Sequence, residues 1–212
     1  MHSFQHHNHE QTRKRFNVLD RFIRRSRSRR IRSFLGPTDF VLDFGCGEEN
    51  WFLRSASETI GFGIGIDPNL KLDFDQNLLP ENIQAKRSTI EGFASETCNR
   101  FDIITWLAVI EHFHEPEAES LLLTCASLLK PNGKIIFTTP TPFAKPILEF
   151  LAYKLHLISG EETRDHKTYY DEAGINYILE RSGFSMLKHQ TFQFGLNSLI
   201  VATPTKTSFN GN

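Results

Sequence analysis

A run of apolar residues, Phe40 to Phe44, leads directly into Gly45-Cys46-Gly47-Glu48-Glu49-Asn50. An apolar strand ending on two closely spaced glycines predicts a sharp strand-to-helix turn whose backbone a ligand can approach. Such a turn suits an open α/β sheet, where ligands bind beyond the carboxyl ends of the strands. The chain repeats the alternation. Strand-like segments read over Phe62 to Ile66, Ile83 to Arg87, Phe101 to Trp106 and Lys134 to Thr138. Between them lie helix-like segments, Trp51 to Ser57 and the amphipathic Glu115 to Leu129. This pattern implies βαβ units and a mostly parallel sheet covered on both faces.

The last third changes character. Pro140-Thr141-Pro142 interrupts the alternation, and Phe143 to Ile158 reads as a strongly apolar helix. A polar loop, Ser159 to Lys167, then leads to a helix over Asp171 to Ser182. Two further strands, Phe184 to Phe192 and Leu196 to Ala202, are separated only by Gln193-Phe194-Gly195. So short a link requires antiparallel pairing. The expected architecture is therefore α/β, a doubly wound seven-stranded sheet, mostly parallel, with a C-terminal antiparallel hairpin. The expected organisation is a basic helical segment over 1–37, one domain over 38–203 with an apolar insert at about 140–170, and a tail over 204–212.

The formal charge of −1 conceals an asymmetry. Arg13 to Arg32 holds ten basic residues and one acid, Asp20, so the remaining chain is strongly acidic. The segment reads as a helix from Phe16 to Phe34 that is either a basic surface facing something anionic or a solvated face. Residues 1–12 are polar and rich in histidine, a frayed end rather than a metal site. Three cysteines, Cys46, Cys98 and Cys125, have no CxxC spacing, which points to a reducing compartment and away from zinc. The longest uninterrupted apolar run, glycine aside, is the five residues Trp106 to Ile110. A bilayer needs about twenty. With no apolar signal segment at the N-terminus, the expected location is cytoplasmic.

The glycine turn also says something of its ligand. A dinucleotide fingerprint G-x-G-x-x-G would place its third glycine at Asn50. Asp43, at the strand end, would set a carboxylate near the phosphates, and suits instead a ligand with a cationic group, such as S-adenosylmethionine. Asp67, 22 residues after Gly45, is placed to accept both hydroxyls of a ribose, a feature shared by nicotinamide and adenosylmethionine binders. The Gly61-Phe62-Gly63-Ile64-Gly65 run lies inside a strand, where small residues serve close packing.

Four ordered blocks now stand together: Val41 to Gly47; Ile64-Gly65-Ile66-Asp67; Phe101-Asp102-Ile103-Ile104 leading to Val109-Ile110-Glu111-His112-Phe113; and Leu128-Leu129-Lys130-Pro131-Asn132-Gly133-Lys134. A weaker fifth is His166-Lys167-Thr168-Tyr169-Tyr170 with Leu179 to Phe184. In this order the chain resembles the class I S-adenosylmethionine-dependent methyltransferases, especially the bacterial small-molecule branch around the ubiquinone-biosynthesis O-methyltransferases. The resemblance implies a Rossmann-like fold and S-adenosyl-L-methionine as cofactor. It implies that Asp43, Gly45, Cys46 and Gly47 cradle the methionine end, and that Asp67 and Pro68 lie at the ribose. Ser88, Thr89, Ile90 and Glu91 would flank the adenine, Ile90 against its face, and Leu107 would line the cofactor near the transferable methyl. The family often has a third glycine where this chain has Glu49.

Methyl transfer depends on in-line placement, helped by a general base when the acceptor is a hydroxyl. The candidates are His112, after the fourth strand, and His166, behind the apolar insert. Glu111 reads as structural, and no carboxylate set suggests a catalytic metal. The insert is core, a lid over an apolar substrate, or a membrane-surface contact. The expected partner is a small organic acceptor, anionic or apolar: a quinone precursor, a sugar or a lipid-linked intermediate. Three alternatives stand beside this reading. A nicotinamide-dependent oxidoreductase is disfavoured by Asn50 and Asp43. A non-catalytic binding module of the same fold is suggested by Glu49. Nucleic-acid methylation is suggested by Phe22 to Arg30 and disfavoured by the acidic remainder.

Overall fold

The structure, a computed structural model, describes residues 21–98, 100–147 and 167–205. His166, the histidine-rich start and residues 148–158 of the apolar stretch lie outside the described residues. Helix α1 occupies residues 21–31 and passes into a 3-10 turn, Arg32–Phe34. Then follow β1 (Phe40–Phe44), α2 (Trp51–Ala56), β2 (Phe62–Ile66), β3 (Ile83–Lys86), α3 (Ile90–Glu96), β4 (Phe101–Leu107) and α4 (Glu115–Leu128). The chain continues through β5 (Leu129–Pro140), α5 (Glu172–Arg181), β6 (Phe184–Phe192) and β7 (Asn197–Pro204).

The seven strands form one sheet in the order β3-β2-β1-β4-β5-β7-β6. β7 is antiparallel to both β5 and β6, and the other pairings are parallel. Neighbouring residues of the central strands feed opposite faces. Leu42, Ile104 and Ile135 join Leu122, Ile178 and Leu179 on one side, whereas Val41, Ile103 and Ile136 join Ile31, Phe52 and Leu53 on the other. This is why β1 and β4 are buried along almost their whole length, while the edge strand β3 alternates buried and exposed. Strand order reverses between β1 and β4, so the ligand crevice opens at their carboxyl ends.

Two sequence readings change. The fifth strand begins at Leu129, not Lys134, and runs to Pro140. Leu129 pairs with Phe101, the register then slips, and pairing resumes at Ile103 with Lys134. Pro131-Asn132-Gly133 is therefore a bulge within the strand, with Asn132 at φ +67°. A Cβ at Gly133 would meet two carbonyl oxygens, of Lys130 at 2.9 Å and Phe101 at 3.0 Å. The second is α3 (Ile90–Glu96), a helix that the sequence reading does not include. Thr89 Oγ1 accepts from Gly92 N at 3.1 Å and caps a helix whose first residue, Ile90, is fully buried.

One face of the arginine-rich helix packs on the domain. Ile31 is fully buried in the core, and Ser28 Oγ lies 2.9 Å from Ser55 Oγ. Arg24 reaches Glu49, Arg27 donates to Asn197 Oδ1 at 3.3 Å, Arg30 lies over Phe192, and Arg32 donates to the Ser55 carbonyl. These arginines strap α1 across the glycine turn and the β6–β7 hairpin. Arg25 and Arg29 remain exposed.

Candidate cofactor site

Three strand ends meet at the crevice. Asp43 pairs with Gly65 of β2 and with Thr105 of β4 in the strand register. Its carboxyl is buried, and Thr105 Oγ1 donates to Asp43 Oδ1 at 2.6 Å. Burial pushes its pKa up to about 7; the Thr105 hydrogen bond opposes the shift and the nearby Asp67 charge adds to it.

The turn beyond β1 needs its glycines for different reasons. Gly45 has φ +76°, and a Cβ there would lie 2.6 Å from Val109 Cγ2. Gly47 has φ +65° and open space where its side chain would be, so a ligand can lie along the backbone. The turn is pinned from the neighbouring strand. Gly45 N and Cys46 N donate to the Ile66 carbonyl at 2.9 and 3.2 Å, and Gly47 N donates to Asp67 Oδ2 at 3.0 Å. Asp67 Oδ1 accepts from Asn69 N at 2.8 Å. Each carboxylate oxygen carries two lone pairs, so Asp67 retains capacity for ribose hydroxyls. Burial pushes the Cys46 thiol up, which makes it an inert wall of the turn.

Asn50, which breaks the dinucleotide fingerprint, does a glycine's work. It takes the left-handed conformation at φ +47°, tolerated by asparagine better than by most residues. Its buried side chain packs over β2, and a Cβ at Gly65 would run into Asn50 Oδ1 and Cys46. A Cβ at Gly63 would lie 2.9 Å from Leu53 Cδ2. The β2 glycines thus serve packing. Glu49 is exposed and accepts from Arg24 Nη1 at 2.7 Å, while the Arg24 guanidinium also sits 5.9 Å from the Trp51 ring centroid.

The structure brings Asp43, Gly45, Cys46, Gly47, Asp67 and the exposed Pro68 to adjoining strand ends. Leu107 ends β4 beside them, half-buried. Thr89 and Glu91 are exposed beyond β3, around the buried Ile90. His112 ends a 3-10 turn, Ile110–His112, and is half-buried. His166 lies outside the described residues. Sequence reasoning missed Thr105 and Arg24, whose roles depend on partners 62 and 25 residues away. No group of three or more His, Cys, Asp or Glu among the described residues could hold a metal ion.

Residues 7–189 match a family described as a methyltransferase domain. The chain belongs to this methyltransferase family. Among similar proteins, the ubiquinone biosynthesis O-methyltransferase of Azotobacter vinelandii is 33% identical over 125 residues, covering 57% of this chain and 50% of that protein. That of Vibrio parahaemolyticus is 29% identical over 148 residues, 67% of this chain and 62% of that protein. The chain thus spans half to about three fifths of these relatives. Magnesium protoporphyrin IX methyltransferase from Synechocystis, solved with bound S-adenosylhomocysteine, shares the fold with a TM-score of 0.64 at 18% identity, covering 91% of this chain and 86% of that one. A S-adenosylmethionine-dependent methyltransferase from Archaeoglobus fulgidus also gives 0.64, at 19% identity, covering 84% and 93%. The β3-β2-β1-β4-β5-β7-β6 sheet is the Rossmann-like sheet of S-adenosylmethionine-dependent methyltransferases.

Proposed function

We propose that this methyltransferase-family chain transfers the methyl group of S-adenosyl-L-methionine to a small organic acceptor. One observation carries the reading: a buried carboxyl, Asp43, and a ribose-competent carboxylate, Asp67, flank a glycine turn that is open at Gly47. Asp43, Gly45, Cys46 and Gly47 would hold the methionine end, and Asp67 and Pro68 the ribose. Thr89, Ile90 and Glu91 would border the adenine, with Leu107 near the methyl. The donor supplies an electrophilic methyl on a sulfonium; the chain's part is to bind, orient and exclude water. His112 and His166 are the residues assigned to take a proton from a hydroxyl acceptor. The ubiquinone-biosynthesis relatives favour a quinone precursor, with sugars and lipid-linked intermediates behind it. Exposed Phe22 and Phe143, with Arg25 and Arg29, support an acceptor or surface that is apolar or anionic. The proposed location is cytoplasmic, and among the described residues no helix is long and apolar enough to cross a membrane.

The experiment is a metabolite extract incubated with the protein and methyl-labelled donor, followed by mass spectrometry. Label should enter one small molecule and vanish with Asp67→Ala; product at the wild-type rate would overturn the cofactor assignment. Calorimetry with S-adenosylhomocysteine and NAD separates the oxidoreductase alternative, which requires binding of NAD alone.

A further inference from the structure

The sheet ends at β3, four residues with a strand neighbour on one side only. Lys86 turns its carbonyl to β2, where it accepts from Asp67 N at 3.3 Å, so the backbone groups of Ala85 point to the open edge. A side chain meets them there. Gln76 Nε2 donates to the Ala85 carbonyl at 2.6 Å, and Ala85 N donates to Gln76 Oε1 at 3.0 Å. One primary amide thus supplies both bonds that a further strand would make. Ala85 is 7% exposed, so without Gln76 these two groups would find little water.

Gln76 belongs to the segment that starts at Asp67. Residues 68–79 run from the end of β2 to this outer edge, with Leu70, Phe74 and Leu79 packed on the core around Phe52 and Leu53. Asp75 Oδ1 accepts from Asn77 N at 2.9 Å and caps the 3-10 turn Gln76–Leu78 that presents the amide. On the other side of the contact, Ala85 stands four residues before Thr89, the cap of α3. The amide therefore ties the segment after Asp67 to the strand that leads to Thr89 and Ile90.

We propose that Gln76 is a positioning residue for the adenosine half of the cofactor. The inference rests on the methyltransferase reading, which assigns Asp67 to the ribose and Thr89, Ile90 and Glu91 to the adenine. A nucleoside held between those residues needs a fixed spacing between the ends of β2 and β3. Pairing with β2 sets that spacing from inside the sheet. An edge strand of four residues frays more readily than a central one unless its open side is also held, and Gln76 holds it. The methionine end would rest instead on the glycine turn, which Ile66 and Asp67 brace without Gln76.

Calorimetry on the full chain with two ligands tests this: S-adenosylhomocysteine, and methylthioadenosine, which keeps the adenosine and lacks the amino acid. Gln76→Met preserves length and removes both bonds to Ala85, whereas Gln76→Glu keeps the acceptor and loses the donor. Each should weaken both ligands by one common factor, about fivefold or more, the contribution of one neutral hydrogen bond. Thr203→Val is the control. It removes a 2.9 Å bond to the Gly133 carbonyl at the opposite pole of the sheet, and should change either affinity by less than about twofold. Gln76→Met affinities within about twofold of wild type overturn the assignment, as does a loss confined to S-adenosylhomocysteine or an equal loss in Thr203→Val. If the wild type binds neither ligand, the methyltransferase reading falls and takes the role of Gln76 with it.

Discussion

The backbone amide of Gly47 donates to Asp67 Oδ2 at 3.0 Å. One carboxylate therefore fixes the glycine turn and, in the proposed site, would also meet the ribose. Replacing Asp67 by Asn keeps the shape and weakens both tasks. A hydrogen bond to a charged group contributes about 1.5–3 kcal/mol, so S-adenosylhomocysteine affinity should fall roughly tenfold to a hundredfold. Calorimetry checks this, and a change under about twofold would remove Asp67 from the ribose site.

Asp43 makes stability and ligand binding respond to pH in opposite directions. In the folded chain it ionises at about 7, against 3.8 for an ordinary aspartate. The stabilisation is fully present below the unfolded value and is lost as pH rises from about 4 to about 7, some ~4 kcal/mol at most. The ammonium group of S-adenosylhomocysteine would prefer the ionised form, so its affinity should rise with pH over the same window and level off above it. Asp43→Asn should flatten both profiles, read by urea unfolding and calorimetry between pH 5 and 8.5.

Gly45 and Gly47 should differ on substitution. Gly47→Ala meets only the conformational penalty of φ +65°, about 1–2 kcal/mol. Gly45→Ala adds the clash with Val109, about 1–3 kcal/mol more. Adding Val109→Ala should restore part of the Gly45→Ala loss in urea unfolding and none of the Gly47→Ala loss.

Asn50→Gly should fold and bind S-adenosylhomocysteine, because glycine keeps the left-handed conformation and places no side chain against Gly65. Asn50→Leu should lose about 3 kcal/mol or more, from φ +47° and overpacking on β2. Chemical denaturation separates the two, and a stable Asn50→Leu would contradict the role assigned to Asn50.

Much of this was readable because local chemistry dictated it. The central strands are apolar on both faces, so Val41-Leu42 and Ile103-Ile104 announce themselves, and Asp43, Gly45, Gly47 and Asp67 sit where those strands stop. The start of β5 was hidden because Pro131-Asn132-Gly133 has the composition of a turn, and only pairing with β4 makes it a bulge. Helix α3 was hidden by its brevity and Gly92, its signal reduced to the Thr89 cap. The arginines of α1 could not be assigned, since Glu49, Asn197 and Ser55 are distant in sequence and only the tertiary fold supplies them.

β7 enters the sheet between β5 and β6. During synthesis, one side of β5 therefore stays unpaired until Asn197–Pro204 has left the ribosome. The nascent chain must carry an open, apolar strand edge from the emergence of β5 until β7 follows it, and such edges invite pairing with other chains. Completion of the sheet is thereby deferred to the last strand made, and a chain stopped before Asn197 would be sticky rather than merely shorter.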